Sequence, residues 1–123
     1  MLLILLIATK NETEYYMPLD KYQVLGWTAT KAEVKQAIIE EFGIPFSKIV
    51  ECESGFNVRA VSKPNFNGTI DAGVFQINSS NLKEAKEKGY DLSTVQGQFD
   101  YVRFLIKRRG FEDWTCKKVL KKA

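Results

Sequence analysis

Asn67-Gly68 is the strongest hairpin-turn signal in a chain whose other segments read as helix. Both residue types tolerate positive φ, which a tight turn between antiparallel strands demands. Thr69, Ile70, Asp71 and Ala72 follow as a short returning strand. On either side the pattern is helical. Thr30 is placed to cap a helix, and Glu33 completes a capping box. Val34, Ala37, Ile38 and Phe42 then recur at helical spacing up to Gly43. Pro45 separates this helix from a second near 46–54, with Gly55 just past its end. Ser79 or Ser80 caps a third short helix that Gly89 ends. Ser93 caps a longer one with Val95, Phe99, Val102, Leu105 and Ile106 as its buried stripe and Gly110 as its stop. A last short helix carries Trp114, Cys116, Val119 and Leu120. One small hairpin among helices, in 123 residues, predicts a single mostly helical α+β domain.

The domain is expected over 30–123, with 1–29 as an irregular N-terminal arm. The arm begins MLLILLIA, an apolar run far shorter than the roughly 20 residues a bilayer requires. It has no basic residue ahead of it, as a complete signal peptide would. A remnant of a signal or anchor and a buried strand both remain open, and no stable membrane span is expected.

Composition narrows the chemistry. The chain has no histidine, which removes Ser-His-Asp and Cys-His catalysis and every histidine metal site. Two cysteines are too few for a four-thiolate zinc site, and no Gly-rich phosphate loop is present. No metal and no other cofactor is expected. Carboxylates remain. The net charge of +3 is uneven: 101–123 hold eight bases and two acids. That basic end reads as a solvated helix face, with attraction for a polyanion as the alternative. The aromatic interleaving of a nucleic-acid platform is weak here, and no nucleic-acid partner is expected.

Two carboxylates stand out. Phe46, Ile49 and Val50 mark an apolar stripe on the second helix, and the next member of that stripe is Glu53. A carboxyl group facing a core is desolvated, holds its proton to higher pH, and becomes a potential general acid. The alternative is that the helix ends there and the side chain escapes to water. Asp71 points opposite to Ile70 and Ala72 on the short strand. If those two face the core, Asp71 faces a groove; the alternative is a turn-side Asp bonding nearby N–H groups. One apolar-packed and one polar carboxylate is the pairing glycoside hydrolysis requires.

The run Glu53-Ser54-Gly55-Phe56-Asn57, then Ala60, then Gly68-Thr69-Ile70-Asp71-Ala72-Gly73-Val74-Phe75-Gln76-Ile77-Asn78-Ser79 resembles the lysozyme-like superfamily. It is similar both to animal c-type lysozymes and to small bacterial lytic transglycosylases of the SLT type. The resemblance is strong over 49–80 and looser beyond, where Gly110, Trp114 and Cys116 echo it. It implies Glu53 as general acid and Asp71 as nucleophile or electrostatic stabiliser. It implies Gln76, Asn78 and Trp114 as saccharide-binding, with Trp114 sheltering the acid. Gln76 has a second reading, holding the hairpin by side-chain-to-backbone bonds, and Trp114 a second as an ordinary core residue. Ser54 and Asn57 are expected to bond backbone. Gly73 is expected to admit close approach of backbone to the helix carrying Glu53. Many lytic transglycosylases lack the strand Asp and work with one Glu; this chain keeps Asp71, while Ala72 stands where c-type lysozymes have Tyr.

The activity so implied is a glycosidase cleaving the β-1,4 bond between N-acetylmuramic acid and N-acetylglucosamine in peptidoglycan. The alternatives are a lytic transglycosylase giving 1,6-anhydro products with Glu53 alone, and a non-catalytic wall-binding module. The partner is the peptidoglycan glycan strand, the chain is expected to be monomeric, and the substrate implies export. An exported chain with two cysteines is expected to pair Cys52 with Cys116; two separate buried thiols are the other possibility.

Overall fold

The computed structural model describes residues 29–121; the apolar run and nearly all of the expected N-terminal arm lie outside that range. Helix α1 spans Lys31–Phe42. Its capping box forms as the sequence predicts, with the Glu33 amide donating to Thr30 Oγ1 at 3.1 Å and the Thr30 amide to Glu33 Oε1 at 2.8 Å. Val34 and Ile38 are buried, and Ala37 and Phe42 pack at the margin of the same core.

Helix α2 spans Ile44–Ser54 and begins two residues before the expected start. Pro45 lies inside its first turn, where a missing N–H removes no helical hydrogen bond. The break between the helices is made by Gly43, whose φ of 92° an L side chain rarely adopts. Phe46, Ile49 and Val50 are wholly buried, and Gly55 closes the helix in the left-handed conformation.

The hairpin differs in detail from the sequence reading. Gly68 does sit in a tight turn, with its amide donating to the Asn65 carbonyl at 2.8 Å. The two arms that leave this turn, however, are joined by one isolated bridge between Val61 and Ala72. The regular pairing is on the far side: β1, Asp71–Ala72, runs antiparallel to β2, Ile77–Asn78, with Asp71 opposite Asn78 and Ala72 opposite Ile77. The connecting turn is Gly73 to Gln76, and Gln76 itself has a φ of 52°.

A 3-10 turn over Ser79–Asn81 leads into α3, Leu82–Glu87. Its cap is Asn78, whose Oδ1 accepts the Ser80 amide, rather than Ser79 or Ser80. Helix α4, Val95–Arg109, is capped by Thr94 rather than Ser93; Ser93 instead bonds Asp91. The shift comes from Asp91, which forms its own turn and takes up the Ser93 hydroxyl. A 3-10 helix over Thr115–Lys121 ends the described chain and packs on α2.

The core is an aromatic cluster between α1, α2, α4 and the segment before the last helix. Phe46 meets Trp114 edge-on at 4.8 Å, and Phe75 meets Phe99 edge-on at 5.0 Å. Edge-to-face rings add about 0.5–1.5 kcal/mol per pair beyond their buried area. This packing fixes the end of α2 relative to the hairpin, and so fixes the two carboxylates. The α+β, mostly helical, lysozyme-like expectation holds.

Candidate active site

One open groove of about 540 Å³ runs between the end of α2 and the hairpin. Glu53 and Asp71 both line it, and the floor and far side include Trp114, Leu105 and Gln76. The two carboxylates named from sequence are thus brought to one cleft.

Glu53 is in the last turn of α2 and is half-buried. Of the two readings left open, the structure gives a carboxyl group that is desolvated yet still reaches the groove. Burial pushes its pKa above the ordinary carboxylate value, and the negative charge of Asp71 pushes the same way. One contact opposes them: the Cys116 backbone N–H donates to Glu53 Oε2 at 2.9 Å.

Asp71 reaches the groove by a different logic from the one expected. Ile70 and Ala72 are exposed, so the strand's other face is solvent and not core. A two-residue strand at the rim of a two-stranded sheet has nothing packed on its outer side. Alternation along the strand still turns Asp71 inward. Its Oδ1 accepts from Asn78 Nδ2 at 2.8 Å and its Oδ2 from Asn65 Nδ2 at 3.3 Å.

Asn78 therefore grips Asp71, Thr69 Oγ1 and the Ser80 amide at once. Gln76 lines the groove while its Nε2 donates to the Ala60 and Gly73 carbonyls at 3.2 and 2.9 Å, the bracing contacts of its second reading. Ser54 Oγ donates to the Val74 carbonyl at 2.5 Å and accepts the Phe56 amide, tying α2 to the hairpin. Asn57 Oδ1 accepts the Arg59 amide at 2.9 Å in an exposed turn outside the groove lining. The close approach at Gly73 is to α4, not to the Glu53 helix: a Cβ there would lie 2.8 Å from Gln98 Oε1. Trp114 is 3% exposed, forms part of the groove wall, and donates from Nε1 to the Phe75 carbonyl at 3.0 Å. Cys52 and Cys116 are joined in a disulfide.

Among the groove residues that the sequence reading did not single out are Asn65, Thr69 and Phe66. Asn65 and Thr69 bind the Asp71 carboxylate and its clamp, and polar residues crowding an Asn-Gly turn were the available signal. Phe66, fully exposed at the tip and lining the groove, had no periodic pattern to mark it. Among the described residues no lysine or arginine lines the groove.

A family model described as the transglycosylase SLT domain matches residues 29–101. The chain belongs to that family. Its members are peptidoglycan lytic transglycosylases, and membership bears out the lysozyme-like resemblance. The chain is also similar to protein IpgF of Shigella flexneri, with 46% identity over 54 residues, a stretch covering 42% of this chain and 35% of that protein. Among the described residues no helix is long and apolar enough to cross a membrane.

Proposed function

We propose that this domain cleaves the β-1,4 bond between N-acetylmuramic acid and N-acetylglucosamine as a lytic transglycosylase. The observation that carries this is a single groove holding Asp71 and a Glu53 whose carboxyl pKa is raised by burial. Glu53 gives its proton to the glycosidic oxygen as the C1–O bond breaks. Asp71 faces the positive charge that develops at C1 and stabilises it. The carboxylate left on Glu53 then takes the proton of the muramic residue's own C6 hydroxyl, whose oxygen closes on C1 as the 1,6-anhydro ring. Membership of the SLT family supports ring closure over attack by water.

Among the described residues the groove is lined by carboxylates, amides, hydroxyls and a few apolar side chains with no cationic one, which suits an uncharged glycan backbone better than a polyanion. Gln76 and Asn78 are the proposed saccharide contacts from the hairpin. Trp114 would shape the floor beneath the sugar. Action on peptidoglycan puts the working protein outside the cytoplasm, which agrees with its disulfide.

Hydrolysis is the second reading, and Asp71 is the residue that favours it. As a nucleophile Asp71 would give a glycosyl-enzyme that water resolves. Mass spectrometry of muropeptides released from purified sacculi separates the two. Anhydro-muramic ends are expected. Reducing ends would transfer the domain to the hydrolases, and no release by folded protein would leave a wall-binding module.

A further inference from the structure

Cys52 and Glu53 are neighbours at the end of α2, yet their side chains are tied to the same distant residue. Cys52 is bonded to Cys116 across 64 positions, with Cα atoms 6.0 Å apart. Cys116 in turn donates its backbone N–H to Glu53 Oε2 at 2.9 Å. A backbone donor goes wherever the chain around it is fixed. Two anchors fix this one. Trp114, two residues earlier, is held by its bond to the Phe75 carbonyl and by packing on Phe46. The disulfide is the other, and it acts at residue 116 itself.

We propose that Cys52 and Cys116 are positioning residues: their disulfide holds the Cys116 N–H on Glu53 Oε2, so that Oε1 is the oxygen that delivers the proton. The proposal rests on Glu53 being the general acid. An N–H donor prefers the carbonyl-type oxygen of a protonated carboxyl group, because the hydroxyl oxygen is the poorer acceptor. With Oε2 so engaged, the proton resides on Oε1. In the cleavage step Oε1 releases that proton to the glycosidic oxygen, and the electron pair of the breaking C1–O bond goes to the same oxygen. A negative charge appears on Glu53 at that moment. The Cys116 N–H then becomes a charge-assisted donor, the stronger kind of hydrogen bond. A donor already in place costs no reorganisation when the charge forms.

The charged group that acts on Glu53 across the groove is Asp71 from β1; Asp113, from the turn before the last helix, lines the same groove and is paired with Arg109 at 3.8 Å, and α4 contributes the uncharged Leu105. Trp114 and Leu105 are held by the core and continue to exclude water without the disulfide. Losing the N–H contact therefore leaves burial and the charge of Asp71 unopposed. The Glu53 proton is then held to higher pH, and the carboxylate is a worse product of the proton transfer.

The following measurements test this. In the intact protein, the Cys116 amide resonance should titrate together with the Glu53 carboxyl carbon; independent titration overturns the proposal. In Cys52→Ala/Cys116→Ala, compared at a temperature where near-ultraviolet circular dichroism shows it folded, kcat should fall about tenfold or more with KM held within about twofold. The alkaline limb of its rate profile should move to higher pH. An unmoved limb, or one moved to lower pH, overturns the proposal. Reducing the wild type with dithiothreitol, which takes up the bond as its own cyclic disulfide, should reproduce the shift. Should Glu53→Gln prove fully active, the proposed acid is wrong while the amide coupling still stands. Should Glu53→Gln be inactive and the coupling absent, only the positioning role falls.

Discussion

On the helix side of the groove, Glu53 emerges from the last turn of α2 with Phe46, Ile49 and Val50 behind it, a disulfide beside it and one backbone donor on its carboxyl group. On the hairpin side, Asp71 sits on a two-residue strand with solvent behind it and side-chain amides on both of its oxygens. The first wall is dry and covalently braced; the second is wet and braced by polar side chains. The same functional group is thereby prepared for two roles. Withholding water raises the pKa of one carboxyl group, while a mesh of amides orients the other.

The comparison breaks most completely at Glu53. Glu53→Gln should lower wall-clearing activity by about 10²–10⁴-fold, the usual worth of general acid catalysis. Its stability should move the other way. Folding raises the Glu53 pKa, so between the ordinary and the raised value the folded chain takes up a proton and loses stability as pH rises. The Gln variant lacks that loss, and above this window its thermal midpoint should equal or exceed that of wild type.

Trp114→Ala attacks the dry wall itself. It should cost about 3–5 kcal/mol of stability, as removal of a buried Trp does, read from urea unfolding. Water admitted beside Glu53 should also move the alkaline limb of activity to lower pH, opposite to loss of the disulfide. An unchanged limb would reduce Trp114 to packing.

Asp71→Asn converts the wet wall to a neutral one. Activity should drop by about 10²-fold if Asp71 stabilises developing charge. The limb set by Glu53 should shift to lower pH because a like charge is gone. Retention of full activity with anhydro products would leave Glu53 working alone.

The smallest effect sharpens the contrast by missing both walls. Thr30→Ala removes the capping box of α1, far from the groove, and should cost about 1 kcal/mol of stability. Its pH profile should be superimposable on that of the wild type.

The helices and the two carboxylates were legible because each rests on local chemistry. Thr30 and Glu33 announce a helix start within four residues, and the run from Glu53 to Ser79 carries its spacing on its face. What escaped was set by contacts between distant segments. The Cys116 donor to Glu53 is a backbone N–H 63 positions away, and every residue but proline has such a group. Tyr101 is absent from the expected stripe of α4, yet it is wholly buried, with its hydroxyl donating to Glu84 Oε1 at 2.6 Å. The inward face of β1 was assigned for the wrong reason, since a strand this short gives a period but not a direction. Gly73 was recognised as a site of close approach, but the neighbour is Gln98, which only the packed fold reveals.

The place where α2 stops has one more effect on its acid. The helix ends at Ser54, one residue past Glu53, with Gly55 in the left-handed conformation and no basic side chain in the last turn. The peptide dipoles of α2 therefore add up to a partial negative charge around the Glu53 carboxyl group, with no cation in that last turn to answer it. Burial remains the main reason that the pKa is raised, and this field adds to it in the same direction. It comes from the main chain, so no side-chain exchange in the groove can delete it. Only moving the helix terminus would.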